Sequence, residues 1–251
     1  MGILAWFSRL WHRATARRPE GFAPPSPEAP LCIIGDVHGC LAQLEQILQR
    51  APAGHQIILL GDYIDRGPDS AGVLRLLQSR PDLWCLRGNH EEMMLRFLED
   101  PVRGARWLTS GGRETLASFG IDLPAQQQMS AQDHKACATA LRAALGPDLL
   151  SWVQSLPLMV QSGTVLAVHA GADPARPPET QSDSTFLWGH RDFAHRPRRD
   201  GLWVVHGHTI VDRPKVRAGR ISVDTGAFAG GVLSAVCLDG GPPRFLQTTA
   251  V

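Results

Sequence analysis

No stretch of this sequence approaches the roughly 20 consecutive apolar residues that a membrane-crossing helix requires. Net charge is nearly absent as well. Lys and Arg number 25 against 24 Asp and Glu, leaving +1, so no global field draws the chain toward nucleic acid. The 5 cysteines include no C-x-x-C pair, and an odd set argues against a disulfide framework. Cys32, Cys85 and Cys237 lie in apolar runs, where a thiol acts as a small hydrophobe, and a reducing, cytoplasmic location is expected. No repeat of solenoid type is present. What remains is an ordinary globular composition, 43% hydrophobic and 20% charged over 251 residues, ample to bury a core without covalent staples.

The first 30 residues differ from the rest. Ile3, Leu4, Trp6, Phe7, Leu10 and Trp11 recur at helical spacing, with Arg9, Arg13, Arg17 and Arg18 among and after them. The apolar stretch is too short for a signal-peptide core, and arginines follow it in place of a small-residue cleavage site. A basic amphipathic helix suits weak peripheral contact with an anionic membrane; a helix packed on its own domain, or a frayed terminus, is the plainer reading. Phe22 to Pro30 then reads as an extended Pro-rich linker. The expected organisation is an amphipathic segment with linker over 1–30 and one α/β domain over 31–251.

From Leu31 a strand–helix alternation begins. Leu31–Ile34, Ile57–Leu60 and Leu83–Leu86 are short apolar runs that read as buried parallel strands. Leu41, Leu44, Ile47 and Leu48 mark one helix face, and Val73, Leu74 and Leu77 another, with Pro68 suited to its first turn. Glu91 to Leu98 forms a third helix. Successive βα units predict right-handed crossovers. Residues 100–160 read as mainly helical. Thr164–Val168, Leu202–Val205, Arg220–Val223 and Val232–Leu238 continue the strands, with a closing hairpin through Gly240–Pro243. Residues 171–201, rich in Pro, Arg, Asp and Gly, read as a long surface loop.

Each of five strands ends in a polar, glycine-flanked cluster: Gly35-Asp-Val-His-Gly39, Gly61-Asp-Tyr-Ile-Asp-Arg-Gly67, Arg87-Gly-Asn-His-Glu91, Val168-His-Ala-Gly171 and His206-Gly-His-Thr209. In an open α/β sheet the carboxyl ends of the strands border the ligand crevice. Five such clusters converging would be costly unless something paired their charges and lone pairs, and a metal centre does so economically. Asp, His and Asn together suit Mn²⁺, Fe²⁺ or Zn²⁺. Two such ions about 3.5–4 Å apart can share a carboxylate. Asp62, on the central of the first three strands, is the natural bridge.

At these residues the sequence resembles the metallophosphoesterases, and among them the phosphoprotein phosphatase family of bacterial serine/threonine phosphatases. The resemblance runs from Leu31 to about Leu238. It is carried by G-D-x-H-G, G-D-Y-x-D-R-G and R-G-N-H-E in that order, with Asp36, Asp62 and Asn89 spaced by 26 (36 to 62) and 27 (62 to 89) residues. It implies a sandwich of two mixed β-sheets flanked by helices. It also implies that Asp36 and His38 bind one metal, that Asp62 bridges, and that Asn89, His169 and His208 bind the second. The pair would activate a water for direct attack on phosphorus, with His90 as general acid supported by Asp65 and with Arg66 clamping phosphate.

His206 and His208 compete for one ligand position; the G-H-T triplet selects His208, and strand alternation leaves His206 beside the site or facing substrate. A second phosphate-binding arginine is expected after Leu187-Trp188. Arg191 takes that role, with His190 and the Arg196, Arg198, Arg199 cluster as rivals. Trp107 with Gly111–Gly120 resembles a segment of bacterial members and is expected to wall the substrate groove. Cys40 lacks a neighbouring base and is expected to be structural.

The expected activity is metal-dependent hydrolysis of phosphomonoesters, foremost phosphoserine and phosphothreonine in proteins, with two divalent ions, Mn²⁺ before Fe or Zn. The partner would be a phosphoprotein or phosphopeptide, with no nucleic acid. A hydrolase of diadenosine tetraphosphate or a related nucleotide pyrophosphate is the rival within the same chemistry. A non-catalytic phosphate-binding module is the rival outside it, disfavoured because no ligand of the set is missing.

Overall fold

The computed structural model describes residues 22–123 and 129–249. The amphipathic segment expected before Phe22 therefore falls outside the described residues.

Among the described residues ten strands form two sheets. The first contains β1 (Leu31–Ile34), β2 (Gln56–Leu59), β3 (Trp84–Cys85), β9 (Ser234–Leu238) and β10 (Arg244–Gln247), in the order β10-β9-β1-β2-β3. The second contains β4 (Met159–Ser162), β5 (Val165–Val168), β6 (Trp203–His206), β7 (Lys215–Arg217) and β8 (Arg220–Ser222), in the order β4-β5-β6-β8-β7. Within each sheet the three middle-to-edge strands that feed the site run parallel, β1-β2-β3 and β5-β6-β8. Antiparallel β9 and β4 make both sheets mixed.

The apolar runs are continuous because both faces of each sheet are covered. Leu31 and Ile33 of β1 turn toward the second sheet and pack with Val165, Val205, Ile221 and Val236. Cys32 and Ile34, on the opposite face by the two-residue alternation of a strand, pack with Leu44, Ile47, Val73 and Leu74. Those residues belong to helices α1 (Leu41–Arg50) and α2 (Ser70–Gln78), which cover the first sheet together with α3 (Asn89–Glu99), α4 (Arg113–Ser118) and α5 (Ala131–Ser155). The last of these bends at Gly146-Pro147, as a proline without an amide hydrogen requires. The outer face of the second sheet is covered by α6 (Asp183–Trp188) and the loop around it, through Phe186 and Phe193.

Three details depart from the sequence reading. Strand β3 keeps two residues, because Leu86 and Arg87 already turn toward the site. Strands β4 and β7 were not expected: Gln161 and Ser162 interrupt one apolar run, and Lys-Val-Arg of β7 is wholly exposed. The Pro-rich stretch is docked rather than free. Phe22 meets the Trp203 ring edge-on at 5.4 Å, Trp203 Nε1 donates to the Ala23 carbonyl at 2.8 Å, and the Ser26 amide donates to Thr164 Oγ1 at 2.8 Å. No helix among the described residues is long and apolar enough to cross a membrane.

Candidate metal centre

The carboxyl ends of β1, β2, β3, β5 and β6 deliver the five polar clusters to one end of the sandwich. The backbone there is unusual. His38, Asp62, Asp65, Arg66 and His208 all have positive φ, between 44° and 74°. Each non-glycine residue in that region costs on the order of 1 kcal/mol, so the turns need external support. Glu91, fully buried, supplies it: its two carboxylate oxygens accept from the amides of Asp62 (2.9 Å), Tyr63 (2.8 Å) and Gly88 (2.9 Å). Glycine is required where backbone and ligand groups touch. A Cβ at Gly207 would fall on the Asp36 carboxylate, and one at Gly88 on that of Asp62.

Hydrogen bonds fix the histidine tautomers. His38 Nδ1 lies 2.8 Å from the Ile64 carbonyl and His169 Nδ1 lies 3.0 Å from the Leu60 carbonyl. A carbonyl only accepts, so both Nδ1 atoms carry hydrogen and both Nε2 atoms present lone pairs. His169 Nε2 then faces Asn89 Oδ1 at 2.7 Å and Asp62 Oδ1 at 3.4 Å, an acceptor against two acceptors. Asn89 Oδ1 is also 2.8 Å from His208 Nδ1. On the other side, His38 Nε2 lies 3.5 Å and His90 Nε2 3.9 Å from Asp62 Oδ2. Two clusters able to hold a cation result, His38–Asp62–His90 and Asp62–His169–His208, and the two oxygens of Asp62 divide between them.

Burial raises the carboxyls of Asp36 and Asp62 well above the ordinary range, and the carboxylates of Asp224 and Glu91 push further in the same direction. Glu91 rises to about 7 through burial. The same burial drives His38 and His169 well down, so they are neutral at physiological pH, the form a metal ligand needs. Opposed lone pairs and crowded carboxylates are repulsive alone and complementary to divalent cations, so the residues present fit a pair of them. Asp36 is held by the His208 amide (3.0 and 3.1 Å) and lies outside both three-residue clusters.

His90 is supported from behind. Its Nδ1 lies 2.6 Å from Asp65 Oδ2, which also accepts from Trp107 Nε1 at 2.8 Å, while Thr115 Oγ1 donates to Asp65 Oδ1 at 2.6 Å. Burial lifts Asp65 to about 8 and lowers His90 to about 3. Burial thus favours the neutral form of both, with a hydrogen shared between Oδ2 and Nδ1.

A cleft of about 610 Å³ opens over this centre, lined by Asp62, Arg66, Asn89, His90, Trp107, Trp188 and His208, and by Arg96, Arg103 and Arg106. Arg66 reaches His38 Nε2 at 3.1 Å with its guanidinium 4.7 Å from the Phe228 ring centre. Arg191 is exposed and does not line the cleft. His190 turns to Asp173 (3.8 Å), Arg196 pairs with Asp192 (3.6 Å), and buried Arg198 donates to the carbonyls of Asp173 and Arg176 and pairs with Asp200, so these residues brace the 171–201 loop. His206 does not line the cleft either: its Nε2 meets Ser222 Oγ at 2.9 Å and its ring packs edge-on against Phe193. The even spacing that pairs His206 with His208 ends at Gly207, where the chain leaves the strand. Trp107 lines the groove as expected, and its segment also braces Asp65. Cys40 is half-buried, with its thiol pushed up by burial, which leaves it protonated.

The sequence model of the calcineurin-like phosphoesterases, Metallophos, matches residues 29–220. The chain belongs to this family. Similar proteins include the asymmetrical bis(5'-nucleosyl)-tetraphosphatase PrpE of Oceanobacillus iheyensis, 29% identical over 231 residues, covering 81% of this chain and 86% of that protein. Several further relatives carry the same name. Serine/threonine-protein phosphatase 1 of Salmonella typhimurium is 29% identical over 217 residues, covering 80% of this chain and 88% of that protein. A solved structure of a candidate diadenosine tetraphosphatase superposes with a TM-score of 0.63 at 22% identity, covering 92% of this chain and 98% of that chain, and shares the fold. The chain is thus a metallophosphoesterase, a hydrolase with candidate metal-binding residues at its strand ends. Sequence reasoning overlooked Glu91 and Asp224 as parts of this metallophosphoesterase centre and Arg96, Arg103 and Arg106 as parts of its cleft. Glu91 was readable only as the end of a motif, and arginines on a helix read as solvated.

Proposed function

We propose that this metallophosphoesterase hydrolyses phosphoanhydride bonds of dinucleoside polyphosphates, with phosphomonoesters as a secondary substrate class. The observation that carries the reading is the cleft itself. It extends past His90 to three arginines, more positive charge than one phosphoryl group requires. The names of the PrpE relatives weigh the same way. Cleavage of phosphoproteins is the second reading, favoured by the Salmonella relative.

In this reading Asp36, His38 and Asp62 hold one divalent cation, and Asp62, Asn89, His169 and His208 hold the other, Mn²⁺ before Fe²⁺ or Zn²⁺. Such a pair supplies an attacking water of lowered pKa and positive charge on the phosphoryl oxygens. The Ile64 and Leu60 carbonyls hold His38 and His169 in the tautomer that frees Nε2. Arg66, stacked on Phe228, orients a phosphoryl oxygen through its donor fork. Asp65, fixed by Thr115 and Trp107, keeps His90 Nδ1 occupied so that Nε2–H points into the cleft and protonates the departing oxygen.

The test is product analysis by ion-exchange chromatography of the manganese-loaded protein with diadenosine tetraphosphate, a phosphoserine peptide and p-nitrophenyl phosphate in parallel. The reading expects the highest kcat/KM for the dinucleotide, with one nucleoside monophosphate and one nucleoside triphosphate released per turnover. A higher kcat/KM for the phosphopeptide selects the protein-phosphatase reading.

A further inference from the structure

We infer that Arg96, Arg103 and Arg106 form a track for the leaving polyphosphate, and that this track sets the preference for phosphate-rich leaving groups. The inference rests on the dinucleotide reading above and adds a direction to it. In an in-line displacement the leaving group departs opposite the attacking water, on the side of the group that protonates it. That side is marked by His90, the second residue of α3. His90, Met93 and Arg96 are three residues apart on that helix, so they share one face, and all three line the cleft. At a rise of about 1.5 Å per residue, Arg96 lies roughly 9 Å along the axis from His90.

After α3 the chain doubles back through residues 103–106, and Arg103 and Arg106 enter the same cleft from the returning segment. Arg96, Arg103 and Arg106 thus line the same cleft as the acid and the candidate cation ligands.

Their local pairing leaves them available. Arg96 meets Glu92 at 2.9 Å with its side chain 62% exposed, and Arg103 meets Asp100 at 3.6 Å with its side chain 90% exposed. Such exposed pairs are worth little and yield to a polyanion. Arg106 forms no ion pair among the described residues. Asp65 and Trp107, which adjoin the inner end of the track, direct their polar atoms to each other and to His90.

The chemistry balances simply. The water oxygen bonds to the terminal-nucleotide phosphorus, and the P–O bond to the remaining three phosphates breaks. The bridging oxygen keeps the electron pair and takes the His90 proton, while the water proton passes to solvent. The products are a nucleoside monophosphate and a nucleoside triphosphate, and the triphosphate is the part the arginines hold.

The experiment compares the full-length, manganese-loaded protein with its R96A/R103A/R106A and R96K/R103K/R106K variants on diadenosine tetraphosphate and p-nitrophenyl phosphate. The alanine variant is expected to lower the kcat/KM ratio of dinucleotide to aryl phosphate on the order of 100-fold, the scale of a few charge-assisted contacts. The lysine variant is expected to recover most of that ratio, and raising salt to compress it in the wild type. An unmoved ratio in the alanine variant overturns the track while leaving dinucleotide cleavage standing. A wild-type protein that cleaves p-nitrophenyl phosphate and spares the dinucleotide overturns the underlying reading.

Discussion

Stripping the cations from this protein should make it less stable as pH rises from 6.5 to 8, the reverse of the usual acid sensitivity. Asp65, raised to about 8, and Glu91, raised to about 7, stay protonated in the folded chain at pH values where the unfolded chain has lost those protons. A carboxyl whose folded pKa is raised contributes stability that is fully present below its unfolded pKa, falls as pH rises above that value, and is gone once pH has passed the folded pKa. The buried histidines oppose this trend in part. His90, lowered to about 3, and His206, lowered to about 4, are neutral in the folded chain throughout, while an unfolded imidazole is about half protonated near pH 6.5 and neutral by about pH 8, a proton difference that offsets part of the loss. Integrating the proton difference over 6.5 to 8 gives on the order of 2 kcal/mol from Asp65 and Glu91 together. For a chain of this size a loss on the order of 2 kcal/mol corresponds to a drop of roughly 4–8 °C in Tm. Asp36 and Asp62, pushed up by burial and by neighbouring carboxylates, add to the fall. The assay is differential scanning calorimetry of chelator-treated protein across that pH range, repeated with saturating manganese. Cations favour the ionised carboxylates, so metal should stabilise the protein more at pH 8 than at 6.5. A metal-free Tm that is flat or rising over this interval would refute the reasoning, because it would mean that the crowded acids are already neutralised within the chain.

Three further outcomes are expected. His90→Ala should lower kcat by roughly 10²- to 10⁴-fold on substrates with poor leaving groups, and less on p-nitrophenyl phosphate, whose leaving group needs little protonation; steady-state kinetics on both substrates checks this. Glu91→Gln sets an amide NH₂ against backbone donors that one carboxylate oxygen now serves, and should cost about 2–3 kcal/mol in urea unfolding together with weaker manganese binding by titration calorimetry. His206→Ala should destabilise by about 2–3 kcal/mol through loss of its packing on Phe193 and of the Ser222 contact, with KM for the dinucleotide held within about twofold.

How much of this was legible in the sequence follows from the range of the interactions involved. Strand–turn–helix units are local, so apolar runs ending in Gly-Asp could be located and assigned to β1 and β2 with their ligands at the carboxyl ends. Tautomers are not local. His38 and His169 are fixed by carbonyls 26 and 109 residues away, and only the folded chain brings those within reach. The same holds for Asp65, whose oxygens are satisfied by residues 42 and 50 positions later, so that a glycine-containing segment readable as a groove wall also proves to brace the acid. Arg191 lies outside the cleft for the opposite reason. A motif offset by one residue predicts a side-chain direction only if the backbone between is regular. Here Gly189, at φ 83°, ends α6 and turns the chain before the arginine. The arginines that do line the cleft sit where helical spacing alone says solvent. Their role depends on the chain doubling back after α3, a tertiary event no pattern within the helix records. Local motifs therefore specify the candidate cation-holding atoms, and the returning chain specifies which arginines share their cleft.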